Sequence, residues 1–497
     1  MNTFHKILFL LAGIIVLSAC MRRNDSSGKA IITGRITDSL FDKQNTVIML
    51  SVPDVILGRQ TEYKKTVESD GSFTIEIPVV SPSYAAISVD SNEYAGLVLL
   101  FPGETTRMDL FSNETGKIGL CMIEGGELKP KDCNNIGNVS HQVMMTFIEG
   151  HNAPQFQPPI TPEEYVDSML IRMEKDLAVI YEDSLLSKNG KDLLYTQLKQ
   201  VYLNLFFDYE TYAHRFCSGQ FIPQKPDKSY YAFLRHFDLN NPPQLYDIYY
   251  SKNIQSILTR PELNIPRLGN KPIVDWLQEV KAILSDLSGT DSGFFYDMLA
   301  AEAYILQFRD ELNPLSEQQK ENILDYFSNP SFADMLFAEN ERTLLQLKEI
   351  EANKQTNLVV NETPPATKEE LMNVIVFKYK GKVVVVDFWN TWCAPCLEAM
   401  QTSRELKHEM LDKDVVFVYL ANTSSPKPLW EKKIPGIGGE HYYLNGKEWE
   451  SISFSDKYGF EGIPTYLIFD KNGNLRHKMT AYPGNKKMRE MMEELLP

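Results

Sequence analysis

The chain has 497 residues, of which 43% are hydrophobic and 23% charged. This length suits about three domains of ~100–200 residues each, and the composition excludes a globally disordered protein. The formal net charge of −16 argues against a nucleic-acid ligand, because phosphate binding requires clustered Lys and Arg.

The first twenty residues have the pattern of a targeting segment. Lys6 precedes an apolar run over 7–17, too short to span a bilayer comfortably, since a span takes about 20 residues. The run ends in the string LSAC at Cys20, which resembles a bacterial lipoprotein signal. That resemblance implies acylation of Cys20 and a lipid-anchored protein of the bacterial cell envelope that faces the periplasm. An uncleaved anchor and a plain secretory peptide are the alternatives, and inner and outer membrane both stay open.

Residues 28–135 are predicted to form a β-sandwich domain. Apolar Ile32 and Ile36 alternate with polar neighbours, and Asp70-Gly71 is a turn signal before a second alternating segment. Several short strands separated by turns are typical of a sandwich.

Residues 140–352 are predicted to form an all-α region. The string TPEE at 161–164 is a helix start, with a capping Thr, Pro in the first turn and acids near the positive helix end. Apolar residues at helical spacing follow, and the aromatic residues among them are interpreted as core. His214 and His236 are isolated, so the region shows no chemical motif.

Residues 357–497 are predicted to form an α/β domain after a polar, Pro-containing linker at 352–368. Strands are expected at 382–389, 415–420, 466–470 and 475–479, and helices at 397–411 and 486–496. This order implies a mixed sheet covered by helices. The fold class is therefore multidomain: an N-terminal β-sandwich, a central all-α region and a C-terminal α/β domain.

The string VVVVDFWNTWCAPC, at 383–396, carries the chemistry. Its apolar run predicts a central strand buried on both faces, and the CxxC follows at the start of a helix. A helix N-terminus stabilises a thiolate, which disulfide exchange requires as the attacking group. We expect Cys393, as the outer cysteine, to be the nucleophile and Cys396 to be the resolving thiol.

This region resembles the thioredoxin superfamily, in particular the membrane-tethered bacterial branch of TlpA- and ResA-like reductases. The resemblance covers about 357–497, and the β domain before it is similar to one that precedes thioredoxin domains in many bacterial lipoproteins. The matching features are Trp389 and Trp392 around the CxxC, Asp387 six residues before Cys393, the Ile463-Pro464-Thr465 loop and the turn Asp470-Lys-Asn-Gly473.

The resemblance implies further site residues. Asp387 would be a buried acid with a raised pKa that accepts the proton of Cys396; an Asp that merely ends the strand is the alternative. Pro464 would be cis and would leave the backbone of Ile463 free to pair with an extended substrate. The predicted catalytic residues are Cys393, Cys396 and Asp387, and the predicted substrate-binding residues are Trp392, Ile463 and Pro464.

Two features depart from a minimal thioredoxin. The dipeptide between the cysteines is Ala394-Pro395, which affects the redox potential. An insertion over 424–449 lies before Pro464 and is expected to contribute to partner selection. Its glycine run at 436–439 is interpreted as a plain loop, since it lacks the strand–turn–helix context of a phosphate site.

The resemblance favours a reductase of protein disulfides, cytochrome c maturation being one use. The predicted lipid anchor is consistent with a membrane donor of electrons. An oxidase or isomerase is one alternative, and a partner-binding adaptor with an accessory thioredoxin domain is another. A structural zinc site needs four ligands, which a single CxxC without a histidine pair does not supply. A peroxidatic thiol usually lies in a PxxxTxxC motif. Here Thr391 is only two residues before Cys393, and no upstream proline fits the motif. We expect no cofactor and no metal.

Three cysteines fall outside this assignment: Cys121, Cys133 and Cys217. A Cys121–Cys133 disulfide would suit an oxidising compartment, and unpaired thiols are the alternative.

Overall fold

The computed structural model describes residues 28–36, 46–54, 59–79, 83–90, 93–101, 103–112, 118–124, 132, 161–211, 224–240, 248–328, 330–367 and 370–496. The predicted targeting segment with Cys20, and also Cys133, His214 and Cys217, lie outside these residues. Within the described ranges, no helix is both long and apolar enough to cross a membrane. The chain divides into two compact units, Met1–Ile305 with Leu315–Phe337 and Leu306–Pro314 with Ala338–Pro497.

Among its described residues, the first unit begins with two four-stranded sheets. Their strands are β1 (Gly28–Ile36), β2 (Val47–Asp54), β3 (Arg59–Thr66), β4 (Ser72–Val79), β5 (Ser83–Val89), β6 (Glu93–Leu100), β7 (Thr105–Ser112) and β8 (Ile118–Glu124). One sheet has the order β4-β1-β7-β8 and the other β3-β2-β5-β6. Alternation explains their packing, because Ile32 and Ile75 pair across β1 and β4 and both enter one apolar core with Leu50 and Ile87 of the other sheet.

Helices follow the strands, and their starts agree with local sequence signals. Thr161 caps the first helix in a capping box with Glu164, as the TPEE string predicts. The helices are α1 (Pro162–Glu182), α2 (Lys188–Phe207), a 3-10 helix (Lys228–His236), α3 (Ile248–Thr259), α4 (Ile273–Ser288), α5 (Phe294–Glu311), α6 (Glu317–Tyr326) and α7 (Pro330–Ala352).

The second unit is built on a six-stranded mixed sheet of order β14-β13-β10-β11-β12-β9. The strands are β9 (Val359–Asn361), β10 (Val383–Phe388), β11 (Val415–Asn422), β12 (Glu440–Leu444), β13 (Thr465–Phe469) and β14 (Leu475–Met479). Strand β10 pairs in parallel with β11 and antiparallel with β13. All six residues of β10 are buried, as its apolar run predicts.

Helices cover both faces of this sheet. They are α8 (Leu371–Phe377), α9 (Ala394–Thr402), α10 (Arg404–Glu409), α11 (Lys427–Lys433), α12 (Gly446–Ser453) and α13 (Asn485–Glu493). One face packs on α8 and α12, and the opposite face packs on α9, α10 and α13. Because side chains alternate along a strand, Val386 faces α8 and α12 while Asp387 leaves the opposite face.

Three local features differ from the sequence-based expectations. Strand β9 lies inside the predicted linker and pairs with β12, which lies inside the predicted insertion. The helix expected at 397–411 is two helices that break at Ser403, the C-cap of α9. The two strands are not expected because edge strands form by pairing with residues far away in the sequence. The helix breaks because the Ser403 hydroxyl donates a hydrogen bond to the Met400 carbonyl at 3.3 Å, which competes with continuation of the helix.

Candidate active site

The two cysteines lie where β10 has ended and α9 begins. Cys393 is the N-cap residue of α9, and the backbone N–H of Cys396 donates to the Cys393 sulfur at 3.3 Å. The cysteines form a disulfide with a Cα–Cα distance of 5.3 Å. Pro395 lies in the first helical turn, where its missing N–H costs little. A sulfur in this position receives the partial positive charge of the helix start, which stabilises a thiolate in the reduced form.

Both sulfur-bearing residues are shielded from solvent. Cys393 is 3% exposed and Cys396 is 0% exposed. The sequence predicts that Cys393 is the outer cysteine, and in the disulfide form its exposed fraction is only slightly larger than that of Cys396. The exposed group at the site is Trp392, at 60%. Trp389 is instead wholly buried and packs in the same cluster as the cysteines.

A hydrogen-bond network fixes the segment that leads from β10 into the CxxC. The Asn390 side-chain oxygen accepts from the Asn422 backbone N–H at 3.1 Å and from the Ser425 hydroxyl at 2.7 Å. The Ser425 hydroxyl in turn accepts from the Thr391 backbone N–H at 2.9 Å. The Trp392 indole N–H donates to the Ser424 hydroxyl at 2.9 Å. The last residue of β11 and the serine pair after it therefore hold the residues immediately before Cys393 and orient the exposed indole.

The Ile463-Pro464 loop lies against the cysteine cluster. The peptide bond between these residues is cis. Ile463 is partly buried and packs on the cluster that contains both cysteines, whereas Pro464 is buried. The structure thus brings Trp392, Ile463 and the disulfide to one end of the sheet.

Asp387 is buried in the middle of a row of polar side chains. It pairs in register with Tyr419 on one side and with Tyr466 on the other, so all three leave the same face of the sheet. Asp387 is 5% exposed, and its Oδ1 has no hydrogen-bond partner among the described residues. Burial raises the pKa of Asp387 to about 7, against the opposing effects of the Lys407 charge and a hydrogen bond from Tyr466. A carboxyl group of this kind can accept and release a proton near neutral pH.

A buried imidazole stacks on the same row. His441 is 0% exposed, its ring lies 4.8 Å from the Tyr419 ring, and its Nε2 lies 2.9 Å from the Gly438 carbonyl oxygen. Burial lowers the pKa of His441 to about 4, so the ring is neutral at physiological pH.

Comparison with known proteins decides the family. Residues 358–496 match the Redoxin family model. The match includes both cysteines, the row of Asp387 and the cis-proline loop. This part of the chain belongs to the thioredoxin superfamily. Within that superfamily it is TlpA/ResA-like, because its relatives include ResA and YneN proteins.

The relatives match about a quarter of this chain. The thiol-disulfide oxidoreductase ResA of Geobacillus thermodenitrificans is 28% identical over 119 residues, which are 24% of this chain and 66% of that protein. The thioredoxin-like protein YneN of Bacillus subtilis is 28% identical over 116 residues, which are 23% of this chain and 65% of that protein. The chain thus spans just under two thirds of the length of these relatives.

Solved structures of thioredoxin-family proteins also match about a quarter of the chain. A thioredoxin-family thiol:disulfide interchange protein of Chlorobium tepidum is 20% identical with a TM-score of 0.22, covering 24% of this chain and 84% of its own. The exposed lipoprotein thioredoxin of Streptococcus pneumoniae is 23% identical with a TM-score of 0.21, covering 24% of this chain and 90% of its own.

The thioredoxin domain contains site residues that the sequence alone did not reveal. Asn390, Ser424 and Ser425 hold the segment before Cys393, and their only sequence signal is a polar Asn and a Ser pair after two apolar strands. Lys407 reaches the row of Asp387 from α10, and nothing in its spacing marks it. Within the described residues, no group of three or more His, Cys, Asp or Glu side chains is arranged to hold a metal ion.

Proposed function

We propose that this protein is a thiol-disulfide oxidoreductase that exchanges electrons with protein dithiols and disulfides through Cys393 and Cys396. The observation that carries the proposal is the Cys393 sulfur at the N-cap of α9, with the Cys396 N–H directed at it. The names of the relatives support the same activity, since ResA is called a thiol-disulfide oxidoreductase.

The reduced site would act in two exchange steps. The Cys393 thiolate attacks one sulfur of a substrate disulfide, which forms a mixed disulfide and releases the other substrate sulfur as a thiolate. Asp387 then accepts the proton of the Cys396 thiol, directly or through water. The Cys396 thiolate attacks the Cys393 sulfur and releases the second substrate sulfur. Two electrons pass to the substrate, and the protein is left with the Cys393–Cys396 disulfide.

Trp392 and Ile463 would form the docking surface for the substrate. Trp392 offers an exposed aromatic face whose indole N–H is held by Ser424, and Ile463 packs on the cysteine cluster next to a proline that lacks an N–H. An extended peptide could therefore pair with the Ile463 backbone while its cysteine meets Cys393.

We infer that the protein works as a reductase rather than as an oxidase or isomerase. The support is its likeness to ResA-type proteins, and the direction depends on the redox potential of the cysteine pair. A titration in glutathione buffers should give a value nearer about −250 mV than the ~−120 mV of a strong oxidant. A value above about −150 mV would reverse the direction and favour the oxidase alternative.

We further propose that Cys20 carries a lipid anchor and that the protein faces the periplasm, where a membrane donor re-reduces the site. The two N-terminal sheets would be the layers of a β-sandwich at 28–135, followed by a helical domain at 140–352 and the thioredoxin domain at 357–497. The LSAC string at Cys20 supports the anchor. Metabolic labelling with a fatty-acid analogue should mark the wild type and not Cys20→Ala; equal labelling of both would contradict the anchor.

Insulin reduction in the presence of dithiothreitol tests the proposed activity. The wild type should accelerate insulin precipitation, and Cys393→Ser should return the rate to that of dithiothreitol alone. Equal rates for the two proteins would contradict the activity and favour an adaptor that binds a partner.

A trapping variant would then identify the substrates. Cys396→Ala should accumulate mixed disulfides on Cys393 in the cell, because the resolving thiol is missing. Mass spectrometry of the trapped species gives the partners. Partners joined through Cys121, Cys133 or Cys217 instead would show that another thiol does the exchange.

A further inference from the structure

An open cleft runs along the cysteine-bearing helix α9 and takes no part in the steps described above. Its volume is about 400 Å³, which falls within the ~300–1,000 Å³ of most ligand sites. Leu397 and Gln401 of α9 line one side, and Gln346 and Ile350 of α7 line the other. Ile437, beyond the end of α11, lines it as well. All of these residues belong to the second unit. We refer to this space as the α7–α9 cleft.

The α7–α9 cleft shares apolar residues with the cysteine cluster. Met400 is a member of the buried cluster that contains both cysteines, and Leu397 and Ile437 pack against that cluster. The same three residues line the cleft. Leu397 also lies one helical turn beyond Cys393, and its backbone N–H donates to the Cys393 carbonyl at 3.1 Å. The cleft is therefore continuous with the surface around the disulfide.

The α7 side of the cleft lies outside the region that matches the Redoxin family, which begins at residue 358. The Glu349 carboxylate of α7 accepts from the Gln401 side-chain amide at 3.5 Å and lies 3.7 Å from the Arg404 guanidinium group. Just after α7, the Gln355 backbone N–H donates to the Pro435 carbonyl at 2.8 Å. These contacts hold α7 beside α9, so a helix from outside the matched region completes the cleft.

The chemistry of the walls favours a neutral, partly apolar occupant. Exposed side-chain amides of Gln346 and Gln401 lie on opposite sides, and an amide can donate to and accept from a peptide backbone. Two positive and two negative side chains also line the cleft, so their formal charges cancel and a charged ligand gains no net attraction. These four are Arg404, Lys433, Glu349 and Glu398. An apolar side chain carried on an extended polypeptide suits both the amides and the apolar lining.

The geometry of α9 sets how far this side chain lies from the reacting cysteine of the substrate. A helix rises about 1.5 Å per residue, so Leu397 and Gln401 lie roughly 6 Å and 12 Å along α9 from Cys393. An extended peptide advances about 3.3 Å per residue. A side chain about two to four residues from the substrate cysteine would therefore reach the cleft.

We propose that the α7–α9 cleft binds the substrate polypeptide beside its reacting cysteine and selects substrates with an apolar residue about two to four positions away. The inference rests on the proposed function and adds to it a preference for substrate sequence. The exchange steps at Cys393 and Cys396 are unchanged. Lys433 and Ile437 lie in the insertion at 424–449, so the insertion would contribute to partner selection through this cleft.

The test uses the reduced full chain and synthetic peptides whose single cysteine is joined by a disulfide to thionitrobenzoate. Attack of the Cys393 thiolate forms a disulfide with the peptide and releases the coloured thionitrobenzoate thiolate, whose absorbance gives a second-order rate constant. One leucine is moved through the positions on both sides of the peptide cysteine, in a background of serine and glycine. A peptide without leucine is the reference.

The rate constant should be about five- to tenfold above the reference when leucine lies about two to four residues from the cysteine on one side, because the cleft removes its side chain from water. Gln346→Trp and Gln401→Trp fill the cleft from opposite sides, and each should reduce this preference below about twofold. Lys348→Trp is the matched control, because Lys348 is exposed on α7 and does not line the cleft. A wild type without a preferred leucine position, or an equal loss in Lys348→Trp, would overturn the proposal.

Binding without turnover separates this inference from the proposed activity. In a chain with Cys393→Ser and Cys396→Ser, fluorescence anisotropy of labelled peptides with serine in place of cysteine should show the same leucine preference, and Gln346→Trp should remove it. That preference, with thionitrobenzoate release no faster in the wild type than in Cys393→Ser, would contradict the proposed function and support the cleft. Release at one rate from every peptide would overturn the cleft and leave the activity standing. A dimer in sedimentation that Gln346→Trp dissociates would assign the cleft to a second copy of the chain and overturn the proposal.

Discussion

The two faces of the sheet in the second unit bury different chemistry. The face against α8 and α12 is formed by apolar side chains such as Val386, Phe388 and Leu467. The opposite face carries Asp387 and Tyr466 among its apolar residues. Both faces come from the same strands, and adjacent residues of β10 point to opposite sides.

This contrast separates stability from chemistry within one strand. The apolar face gains stability from burial and close packing, with no charge to compensate. The polar face holds a carboxyl group whose ionisation is costly, and Tyr419 of the same face packs in the cluster that contains both cysteines. Substitutions on the two faces should therefore affect different measurements, and the following predictions use that difference.

The largest effect should come from the nucleophile on the polar side. Cys393→Ser should reduce insulin-reduction activity by at least about 10³-fold, because a hydroxyl is a poor nucleophile at neutral pH. Thermal unfolding of the disulfide-free variant should be compared with that of reduced wild type, so that loss of activity is not confused with loss of fold. Residual activity above a tenth of the wild type would place the chemistry elsewhere.

Asp387 should make the stability of the second unit depend on pH. Between about pH 4 and 7 the folded protein keeps a proton on Asp387 that the unfolded chain has lost, so stability falls as pH rises through this window. Asp387→Asn should remove that slope and stabilise the oxidised protein at pH 8 by up to about 4 kcal/mol. Urea unfolding followed by tryptophan fluorescence is suitable, because four of the five tryptophans lie in this unit. Parallel pH profiles for variant and wild type would contradict the burial argument.

Leu467 tests the apolar face. It is 0% exposed on β13, and Leu467→Ala should lower the free energy of unfolding by about 2–5 kcal/mol through lost burial and a residual cavity. The same variant should leave the midpoint of the pH–activity profile unmoved, since its side chain lies on the face opposite Asp387. A shift of that midpoint by a full unit would show that the two faces are coupled.

Trp392 should give the smallest effect. Trp392→Ala should raise KM for a protein substrate by roughly three- to tenfold, about 1 kcal/mol, while activity on a small disulfide stays near wild type. Phe377→Ala is a matched control, because Phe377 is equally exposed, at 59%, but lies beside the Asn472-Gly473 turn, away from the cysteines. Equal losses in the two variants would remove Trp392 from the docking surface.

The sequence was informative wherever a signal was local. The apolar run of β10, the CxxC that follows it and the capping Thr161 each depend on neighbouring residues, and each appears at the expected place. Burial of Asp387 followed from its position inside that run.

Features that depend on distant residues were not predictable in the same way. Strand β9 has only three residues and exists through pairing with β12, about eighty residues later, so local sequence predicts a linker in its place. Lys407 lies on the polar side of a short helix, and only the packing of α10 on the sheet brings its ammonium group to Tyr419. The support of Trp392 by Ser424 likewise joins two segments through the fold.

The central claim is that the start of α9 holds the Cys393 sulfur as a thiolate. The most direct measurement is the alkylation rate of Cys393 against pH in the reduced Cys396→Ala variant, followed by mass spectrometry so that the other cysteines do not contribute. The account predicts a midpoint at least about one unit below 8.5, the ordinary pKa of a cysteine thiol. A midpoint at or above 8.5 would contradict it.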